Sequence, residues 1–407
     1  MRCAASVRSL ICPSRRESAA EACATVTPGV GVAAPGGSVR QVSDLRRTPL
    51  HSRHADAGAR FGPFAGWDMP LHYGSPTGEH MAVRERAGLF DVSHMGQIEV
   101  DGAGARGFLA HALANDIDEI GPGQGQYTLL LADDGGVIDD LIVYALIDRF
   151  LLVVNASNIA ACAERLRELR DRGEGDVRVN DRSDEIAMVA LQGPVWKSVL
   201  SPHVATPQPL TLEYFQITED MVGRVPALVA RTGYTGEAGV ELMCPWDDVP
   251  GVWDALVGSG AAPAGLVARD TLRTEACYPL YGQELGRDRG PIEAGLRWAV
   301  DLDGARFAGA ERCVRDAADG TPERLCAFAL DEPGIPRPGL RVLHDGDAVG
   351  AVTSGTLSPV LGHGIGLAYV RSDLASAGTP LQIDIRGKIK NAHVAKRPLV
   401  DTSGTKE

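Results

Sequence analysis

The chain has 407 residues, 44% of them hydrophobic and 23% charged, and a formal net charge of −13. This length exceeds one ordinary core and indicates two or three globular domains. The acidic balance argues against broad nucleic-acid binding, and no apolar run is long enough for a membrane helix. The eight cysteines form no CxxC pair and the histidines are scattered, so we expect no metal site and reduced thiols.

Residues 1–47 differ in composition from the rest of the chain. They are rich in Arg, Ser, Ala and Gly, with no acidic residue before Glu17. Such a segment is either an organellar transit peptide or a disordered, wrongly assigned upstream extension. The whole chain has few lysines and many arginines, which is typical of a GC-rich genome and favours the extension. We therefore expect a cytoplasmic protein of a GC-rich bacterium, with the mitochondrial matrix as the alternative.

Residues 48–320 alternate strand patterns with helix patterns. Strands are predicted over QIEV (97–100), YTLLLA (127–132), VIDDLIVYAL (137–146) and FLLVVNA (150–156). The start of a helix is predicted over GFLAHAL (107–113). Further strands are predicted over EIAMVALQGP (185–194) and VPALVARTGYTGEAGVELMCP (225–245), and helices over 158–172 and 267–278. Asp-Asp-Gly-Gly between two apolar runs is a strong hairpin signal. Antiparallel hairpins mixed with helices predict an α+β fold.

GAGARG (102–107) has the spacing of a dinucleotide-binding fingerprint. It follows a predicted strand and opens a predicted helix, as that motif requires. However, the helix leads into an antiparallel hairpin and not into a parallel strand that ends in an acidic residue. We expect a tight turn between strand and helix here.

Two adjacent carboxylates, Asp139 and Asp140, lie in the apolar strand after Gly135-Gly136. Alternation along the strand places Asp140 with Ile142 and Tyr144 on one face and Asp139 with Leu141 on the other. A carboxylate in an apolar setting is costly unless it is paired or hydrogen-bonded. Catalysis is one explanation; capping of a neighbouring loop or pairing with a buried arginine is the other. Periodicity does not decide which of the two faces a cavity.

Residues 321–402 read as short strands separated by Gly, Asp and Pro turns, which predicts a small all-β barrel or sandwich. In PLQIDIRGKIK (380–390), period two puts Ile383, Ile385 and Ile389 on one face, and it puts the polar residues on the other. The basic residues here form either a patch that suits an acidic partner or an ordinary solvated face. They are Arg386, Lys388, Lys390, Lys396 and Arg397.

Several stretches together resemble the T-protein (aminomethyltransferase) family of the glycine cleavage system. They are RRTPLH (46–51), FAGWDMPLHY (64–73), GLFDVSHMGQI (88–98), GGVIDDLIVY (135–144), LQGP (191–194), RTGYTGEAGVEL (231–242), GLVARDTLRTEACYPLYGQEL (265–285), TSGTLSP (353–359) and GIGLAYV (364–370). The resemblance implies a ring of three domains around a central folate funnel. Residues 48–320 would supply two interleaved α+β domains, and residues 321–402 the C-terminal β-barrel.

The resemblance also implies an activity and its partners. The family transfers the methylene carbon of aminomethyl-lipoyl H-protein to tetrahydrofolate, giving 5,10-methylenetetrahydrofolate, ammonia and dihydrolipoyl H-protein. Tetrahydrofolate is then the co-substrate, and lipoylated H-protein and the glycine decarboxylase components are the partners. The alternative is a folate-dependent demethylase of the same superfamily, which needs no H-protein. The iron–sulfur maintenance branch is disfavoured, because this chain lacks its Lys-Gly-Cys motif.

By match to the family, Asp140 is the catalytic carboxylate and Glu241 binds the pterin, whose parallel N–H donors suit a carboxylate. Arg269 matches a ligand-contacting arginine; a salt bridge within its own helix is the alternative. Other matched positions would line the funnel, although core packing would explain them as well: Met95, Tyr127, Tyr144, Asn155 and Trp298. One departure is visible: the tail KRPLVDTSGTKE lacks the tyrosine with which some members contact folate.

Overall fold

A computed structural model describes residues 45–173 and 175–401. Most of the predicted extension therefore lies outside the described residues, but Arg46 already pairs with Trp67 in a β-bridge. No helix of the described part is both long and apolar enough to span a bilayer. The α-helices are α1 (His51–Asp56), α2 (Pro76–Glu85), α3 (Ala105–Ala112), α4 (Ile159–Arg172), α5 (Trp196–Leu200), α6 (Val249–Gly258), α7 (Leu266–Glu275) and α8 (Ala310–Asp319).

The strands form a small hairpin sheet, two larger sheets and a closed barrel. Those before residue 264 are β1 (Arg60–Phe64), β2 (Trp67–His72), β3 (Gly88–Asp91), β4 (Gly96–Asp101), β5 (Gln124–Leu131), β6 (Val137–Ala145), β7 (Arg149–Val154), β8 (Arg178–Asp181), β9 (Ile186–Gln192), β10 (Ile217–Val222), β11 (Val225–Ala230), β12 (Gly239–Pro245) and β13 (Ala262–Pro263). Those of the barrel are β14 (Glu323–Leu330), β15 (Arg341–His344), β16 (Asp347–Leu357), β17 (Gly364–Arg371), β18 (Pro380–Ile385) and β19 (Lys388–Ala395).

The first large sheet has the order β5-β6-β7-β4-β8, and every neighbouring pair is antiparallel. The predicted hairpin through Asp-Asp-Gly-Gly, its third strand and the helix over 158–172 are confirmed. Helices α3 and α4 cover the outer face, where Leu109 and Leu166 pack against Leu141 and Leu152 of the sheet. This face is fully apolar except for Asp139 and a few edge positions.

The GAGARG segment forms the turn between β4 and α3. Both neighbours of β4 run antiparallel to it, so no parallel crossover of the dinucleotide-binding kind exists here. Gly102 has φ +110°, and a Cβ on it would lie 2.2 Å from the Asp176 carbonyl oxygen. The glycine is required by the close approach of the protein's own backbone, and the expected tight turn is confirmed.

The second large sheet has the order β10-β11-β12-β9-β3-β13, with α5 and α6 packed on its outer face. Its inner face packs against the inner face of the first sheet. Tyr144 and Leu151 of the first sheet share this core with Phe90 and Met188 of the second and with Leu272 of α7. Two sheets that bury one face each against the other hold their inward side chains in fixed positions.

The C-terminal strands close into a barrel in the order β14-β17-β16-β15-β18-β19, which confirms the prediction of a β-barrel. The side chain of Arg273, on α7, ties the barrel to the rest of the molecule. Its guanidinium pairs with buried Glu284 at 3.0 Å and donates to Ser354 of β16 at 2.7 Å. A buried charge with several partners tolerates little displacement, because losing one partner leaves the other charge unpaired.

The prediction that PLQIDIRGKIK forms one continuous alternating strand is wrong. Arg386 and Gly387, with φ +56° and +80°, form the turn of a hairpin between β18 and β19. The turn reverses the chain, so the faces beyond it are exchanged. Lys390 pairs across the hairpin with buried Ile383, whereas Ile389 is 46% exposed. Period two holds only within one strand, and the turn residues break it.

Candidate active site

Asp140 points from β6 into the space between the two inner faces and is partly exposed. Tyr127 of β5 donates its hydroxyl hydrogen to Asp140 Oδ2 at 2.9 Å. Asn155, which directly follows β7, donates from Nδ2 to Asp140 Oδ1 at 3.0 Å. One donor on each carboxylate oxygen fixes the orientation of the group. The three side chains come from adjacent strands, so the sheet itself positions them.

Asp139 points the opposite way and has no exposed surface. It accepts hydrogen bonds from the Asn155 backbone N–H and Nδ2, both at 2.9 Å, and from Asn158 Nδ2 at 2.6 Å. The Cys162 thiol of α4 lies 3.5 Å from its Oδ2. Of the two structural roles considered, the observed one is capping of the loop between β7 and α4. A register shift between Leu130 and Leu131 in β5 accompanies this geometry, as bulges near functional sites often do.

Burial raises the pKa of both carboxyls. The pKa of Asp139 rises to about 7 through burial and the charge of Asp140, against the donors Asn158 and Asn155. The pKa of Asp140 rises to about 6 through burial, opposed by its hydrogen bonds and raised further by the charge of Glu284. Two like charges one residue apart in an apolar setting resist simultaneous ionisation. The pair therefore takes up protons much closer to neutrality than isolated carboxyls do.

Glu241 lies on β12, buried, with its carboxylate directed to the same space. The Thr232 hydroxyl donates to Glu241 Oε2 at 2.6 Å, and the Tyr144 hydroxyl lies 2.8 Å from Thr232 Oγ1. Because Thr232 donates its only hydroxyl hydrogen to Glu241, Tyr144 must be the donor in the second hydrogen bond. Burial raises the pKa of Glu241, while Thr232 and the positive charge of Arg269 lower it.

This chain of hydrogen bonds changes the role expected of Tyr144. Its side chain has no exposed surface, so it does not line the candidate site as predicted. Tyr144 belongs to the core between the sheets, and its influence reaches Glu241 only through Thr232. The sequence alternation correctly put Tyr144 on the face of Asp140, but packing against the second sheet buried it.

Arg269, on α7, carries a guanidinium 4.3 Å from the centre of the Tyr234 ring. Burial lowers its pKa, while the neighbouring Tyr234 and Glu241 favour the charged form. The alternative of a helix salt bridge does not apply to it, because Asp270 pairs with Arg273 at 2.7 Å. Within residues 45–173 and 175–401, no hydrogen bond or ion pair engages the Arg269 guanidinium. A cation held over an aromatic ring is stabilised and still free to bind an oxygen.

The remaining predicted residues differ in exposure. Met95 is half-buried at the margin of the core shared by the two sheets. Trp298 is 63% exposed, so it is not a core residue, and its ring stacks on Tyr127 with centroids 5.2 Å apart. Since Tyr127 holds Asp140, the stacked pair joins an exposed aromatic surface to the carboxylate.

Three residues near this space were not predicted from the sequence. Thr232 and Tyr234 lie in the RTGYTGEAGVEL stretch, between β11 and β12, where only Glu241 was assigned a role. The Tyr234 hydroxyl donates to the Pro279 carbonyl oxygen, which places its ring beneath Arg269. His94 precedes Met95, and its ring is buried edge-on against Phe64. Burial and the charge of Arg269 lower the pKa of His94 to about 4, against the pull of Asp91, so it is neutral at pH 7.

The basic residues of the barrel do not form one flat patch. Arg386 and Lys388, at the hairpin turn, and Lys396 are exposed. Lys390 pairs with Glu332 at 3.2 Å. Arg397 donates to the Leu325 carbonyl oxygen and lies beside the end of the barrel strand β14. The described part of the chain holds no group of three or more His, Cys, Asp or Glu arranged to bind a metal.

Comparison with protein-family models matches residues 50–304 to the GCVT N-terminal domain and residues 323–401 to the glycine cleavage T-protein C-terminal barrel domain. Similar proteins include the aminomethyltransferases of Geobacillus kaustophilus (strain HTA426) and Bacillus subtilis (strain 168). The first is 45% identical over 361 residues, covering 87% of this chain and 98% of that protein. The second is 42% identical over 364 residues, covering 87% and 99%.

A solved structure shows the same architecture. The crystal structure of glycine cleavage system aminomethyltransferase T from Bartonella henselae superimposes with a TM-score of 0.82 and 34% sequence identity. The match covers 88% of this chain and 99% of that one. The two family models, the relatives matched along most of the chain and the shared fold all indicate the same family. The chain belongs to the glycine cleavage T-protein family of aminomethyltransferases.

Proposed function

We propose that this aminomethyltransferase accepts the aminomethyl group of lipoylated H-protein, passes its methylene carbon to tetrahydrofolate and releases ammonia. The observation that carries the proposal is the Asp140 carboxylate, partly exposed and held on both oxygens by Tyr127 and Asn155. Membership of the T-protein family supports the same reaction. The demethylase alternative is not favoured, because the relatives that match along most of the chain are named aminomethyltransferases.

The residues around Asp140 fit a reduced folate. Buried Glu241 uses Oε2 for Thr232, and no hydrogen bond to its Oε1 is found among the described residues. That oxygen suits the N–H donors of a pterin. The exposed ring of Trp298 suits an aromatic group, and the Arg269 guanidinium suits a carbonyl or carboxylate oxygen. When bound, tetrahydrofolate supplies the nitrogen that accepts the carbon.

Asp140 is the catalytic residue in this proposal. Positive charge develops on the transferred carbon and the departing amine as ammonia leaves. An ionised carboxylate in a site of low polarity stabilises such charge more strongly than it does in water. With its pKa raised toward neutrality, Asp140 also exchanges a proton readily near pH 6–7. The Tyr127 and Asn155 donors keep the group oriented without reorganisation during the reaction.

We further propose that the β18–β19 hairpin docks H-protein. Arg386 and Lys388 are exposed at its turn, and Lys396 is exposed just after β19, on a chain of net charge −13. A local cationic surface on an acidic protein attracts an acidic partner and raises its association rate. The alternative is an ordinary solvated hairpin, where lysines discourage pairing of sheet edges.

Reversing two charges tests the docking proposal. The double variant Arg386→Glu, Lys388→Glu should raise the KM for H-protein and leave that for tetrahydrofolate unchanged. Raising salt should weaken the wild-type interaction, as the Debye length falls from ~10 Å at 0.1 M to ~3 Å at 1 M. Steady-state kinetics at several salt concentrations measures both effects.

A matched control is Arg224→Glu, which reverses a charge at another exposed hairpin turn, between β10 and β11. It should behave as wild type. If the double variant also behaves as wild type at low salt, docking through this hairpin is abandoned.

Reconstitution tests the function itself. Purified chain, aminomethyl-loaded H-protein and tetrahydrofolate should release ammonia, and omission of any one should stop release. The same assay with dimethylglycine or sarcosine in place of loaded H-protein distinguishes the proposed function from the demethylase alternative. Turnover of a small methylated amine in the absence of H-protein would contradict the proposed substrate.

The relatives come from bacteria, which supports the expected cytoplasmic location.

A further inference from the structure

Burying the Asp139 carboxylate lowers the stability of the fold, and its role in capping a loop does not by itself explain why the residue is present. Its carboxylate is fully buried, and its hydrogen-bond partners are the neutral groups of Asn155, Asn158 and Cys162. No arginine or lysine is among the partners found in the described residues. A buried carboxylate without a cation, directly next to a second carboxylate, is a destabilising arrangement. A residue retained at such cost is a candidate for a role in function.

The Asn155 side chain links the two carboxylates. Its Nδ2 lies 2.9 Å from Asp139 Oδ1, 3.0 Å from Asp140 Oδ1 and 3.0 Å from the Asp140 carbonyl oxygen. An amide has a donor end and an acceptor end of nearly equal size. With acceptors only on this side, the amide must present nitrogen to Asp140. Asp139 accepts from both the Asn155 backbone N–H and its Nδ2, so it helps to fix the amide with nitrogen toward Asp140.

Asp139 is also electrostatically coupled to Asp140. Like charges a few ångströms apart inside a protein interact by several kcal/mol at an effective dielectric constant of about 20. Other titratable groups from several elements face the two carboxyls and interact electrostatically with them. They are Tyr127, Cys162, Tyr234, Tyr281 and Glu284. The tyrosines and the thiol are neutral at pH 7, because burial raises the pKa of each. Glu284 is paired with Arg273. Because the two carboxyls resist simultaneous ionisation, Asp139 takes up a proton more readily while Asp140 is ionised.

We propose that Asp139 is a positioning residue of the transfer reaction: it helps to fix the Asn155 amide that holds Asp140, and as the neighbouring carboxyl it is electrostatically coupled to Asp140. The proposal rests on the catalytic role proposed for Asp140. Asp139 touches no substrate, since its side chain lies on the outer face of the sheet beneath α4. Its role differs from structural capping because it predicts changes in rate and pH dependence.

Asp139→Asn is the main test. The neutral amide can turn the Asn155 side chain, and misplacing a catalytic group by ~1 Å costs up to ~10²-fold, so we expect kcat to fall at least about tenfold. Tetrahydrofolate affinity should be unchanged, because no folate-contacting residue is altered. Two coupled carboxyls take up protons in two steps, so the replacement should turn the acid limb of the kcat profile into a single-proton titration.

Two further variants make the result decisive. Cys162→Ala removes the 3.5 Å thiol contact to Asp139 but leaves Asn155 untouched, so it should lower thermal stability without altering kcat or its pH profile. Asn158→Ala removes one donor to Asp139 and should lower kcat in the same direction as Asp139→Asn, but less. This variant also serves if Asp139→Asn fails to fold.

Wild-type kcat and pH profile in Asp139→Asn and Asn158→Ala, with only lower stability, would overturn the proposal. The companion variant Asp140→Asn keeps this outcome separate from failure of the proposed function. If Asp140→Asn is inactive while both other variants are fully active, Asp139 is structural and Asp140 catalytic. If Asp140→Asn is active, the catalytic assignment itself is wrong.

Discussion

Replacing Asp140 by asparagine is expected to lower kcat by at least ~10²-fold, the usual effect of removing a preorganised electrostatic group from an active site. The change preserves shape and keeps an acceptor for the Tyr127 hydroxyl. It removes the negative charge that, in the proposed reaction, stabilises the positive charge of the reacting centre. Tetrahydrofolate binding should be largely retained, since Glu241 and Arg269 are untouched. Single-turnover ammonia release and folate titration by calorimetry measure the two quantities separately.

The pH dependence of the wild-type enzyme gives a second measurement of the same group. Catalysis in this proposal requires the ionised carboxylate, so kcat should fall as pH drops through its pKa. Burial raises that pKa to about 6, so the acid limb should lie well above the range of an ordinary aspartate. An exposed control, Asp254→Asn, should leave kcat and the acid limb unchanged. Full activity of Asp140→Asn would remove Asp140 from the chemistry.

Glu241→Gln is expected to weaken tetrahydrofolate binding by about 1–3 kcal/mol, the cost of leaving a buried hydrogen-bonding group unpaired. Glutamine keeps one oxygen for Thr232 but presents an N–H to the donors of the pterin edge. The dissociation constant should therefore rise by roughly 5- to 150-fold, at about tenfold per 1.4 kcal/mol. The KM for H-protein should not change, because Glu241 is not part of the proposed docking hairpin. Calorimetric titration of tetrahydrofolate gives the constant directly.

The thermal stability of Glu241→Gln distinguishes a role of Glu241 in folate binding from a purely structural role. Burial raises the pKa of Glu241, so the folded state binds its proton more tightly than the unfolded state. Between the unfolded and folded pKa values, stability falls as pH rises, and the ionised group opposes folding at pH 7. Glu241→Gln should therefore leave the melting temperature at pH 7 unchanged or higher. Glu219→Gln, on the exposed side of β10 in the same sheet, is the control. A lower melting temperature with an unchanged folate constant would contradict the assignment.

Much of the local structure could be predicted because it depends on neighbouring residues. The hairpin through Asp-Asp-Gly-Gly, α4 and the antiparallel character of the first sheet all result from period and turn chemistry. The GAGARG turn could also be separated from a nucleotide site, because an antiparallel hairpin comes after its helix. The predicted faces of the last barrel strands were wrong because a two-residue turn reverses the chain. The Arg386–Gly387 turn moved Ile389 to solvent and brought Lys390 beside Ile383.

The sequence by itself determined the α+β class, the C-terminal barrel, the strand that carries the two carboxylates and their opposite faces. These depend on alternation, turns and family-like stretches, which are local properties. Only the tertiary structure decided that Asp140 faces the site while Asp139 caps a loop, that Tyr144 is buried behind Thr232, and that Arg269 lies over Tyr234. Those contacts join residues distant along the chain, and the packing of one sheet on another, which no single segment encodes, determines them.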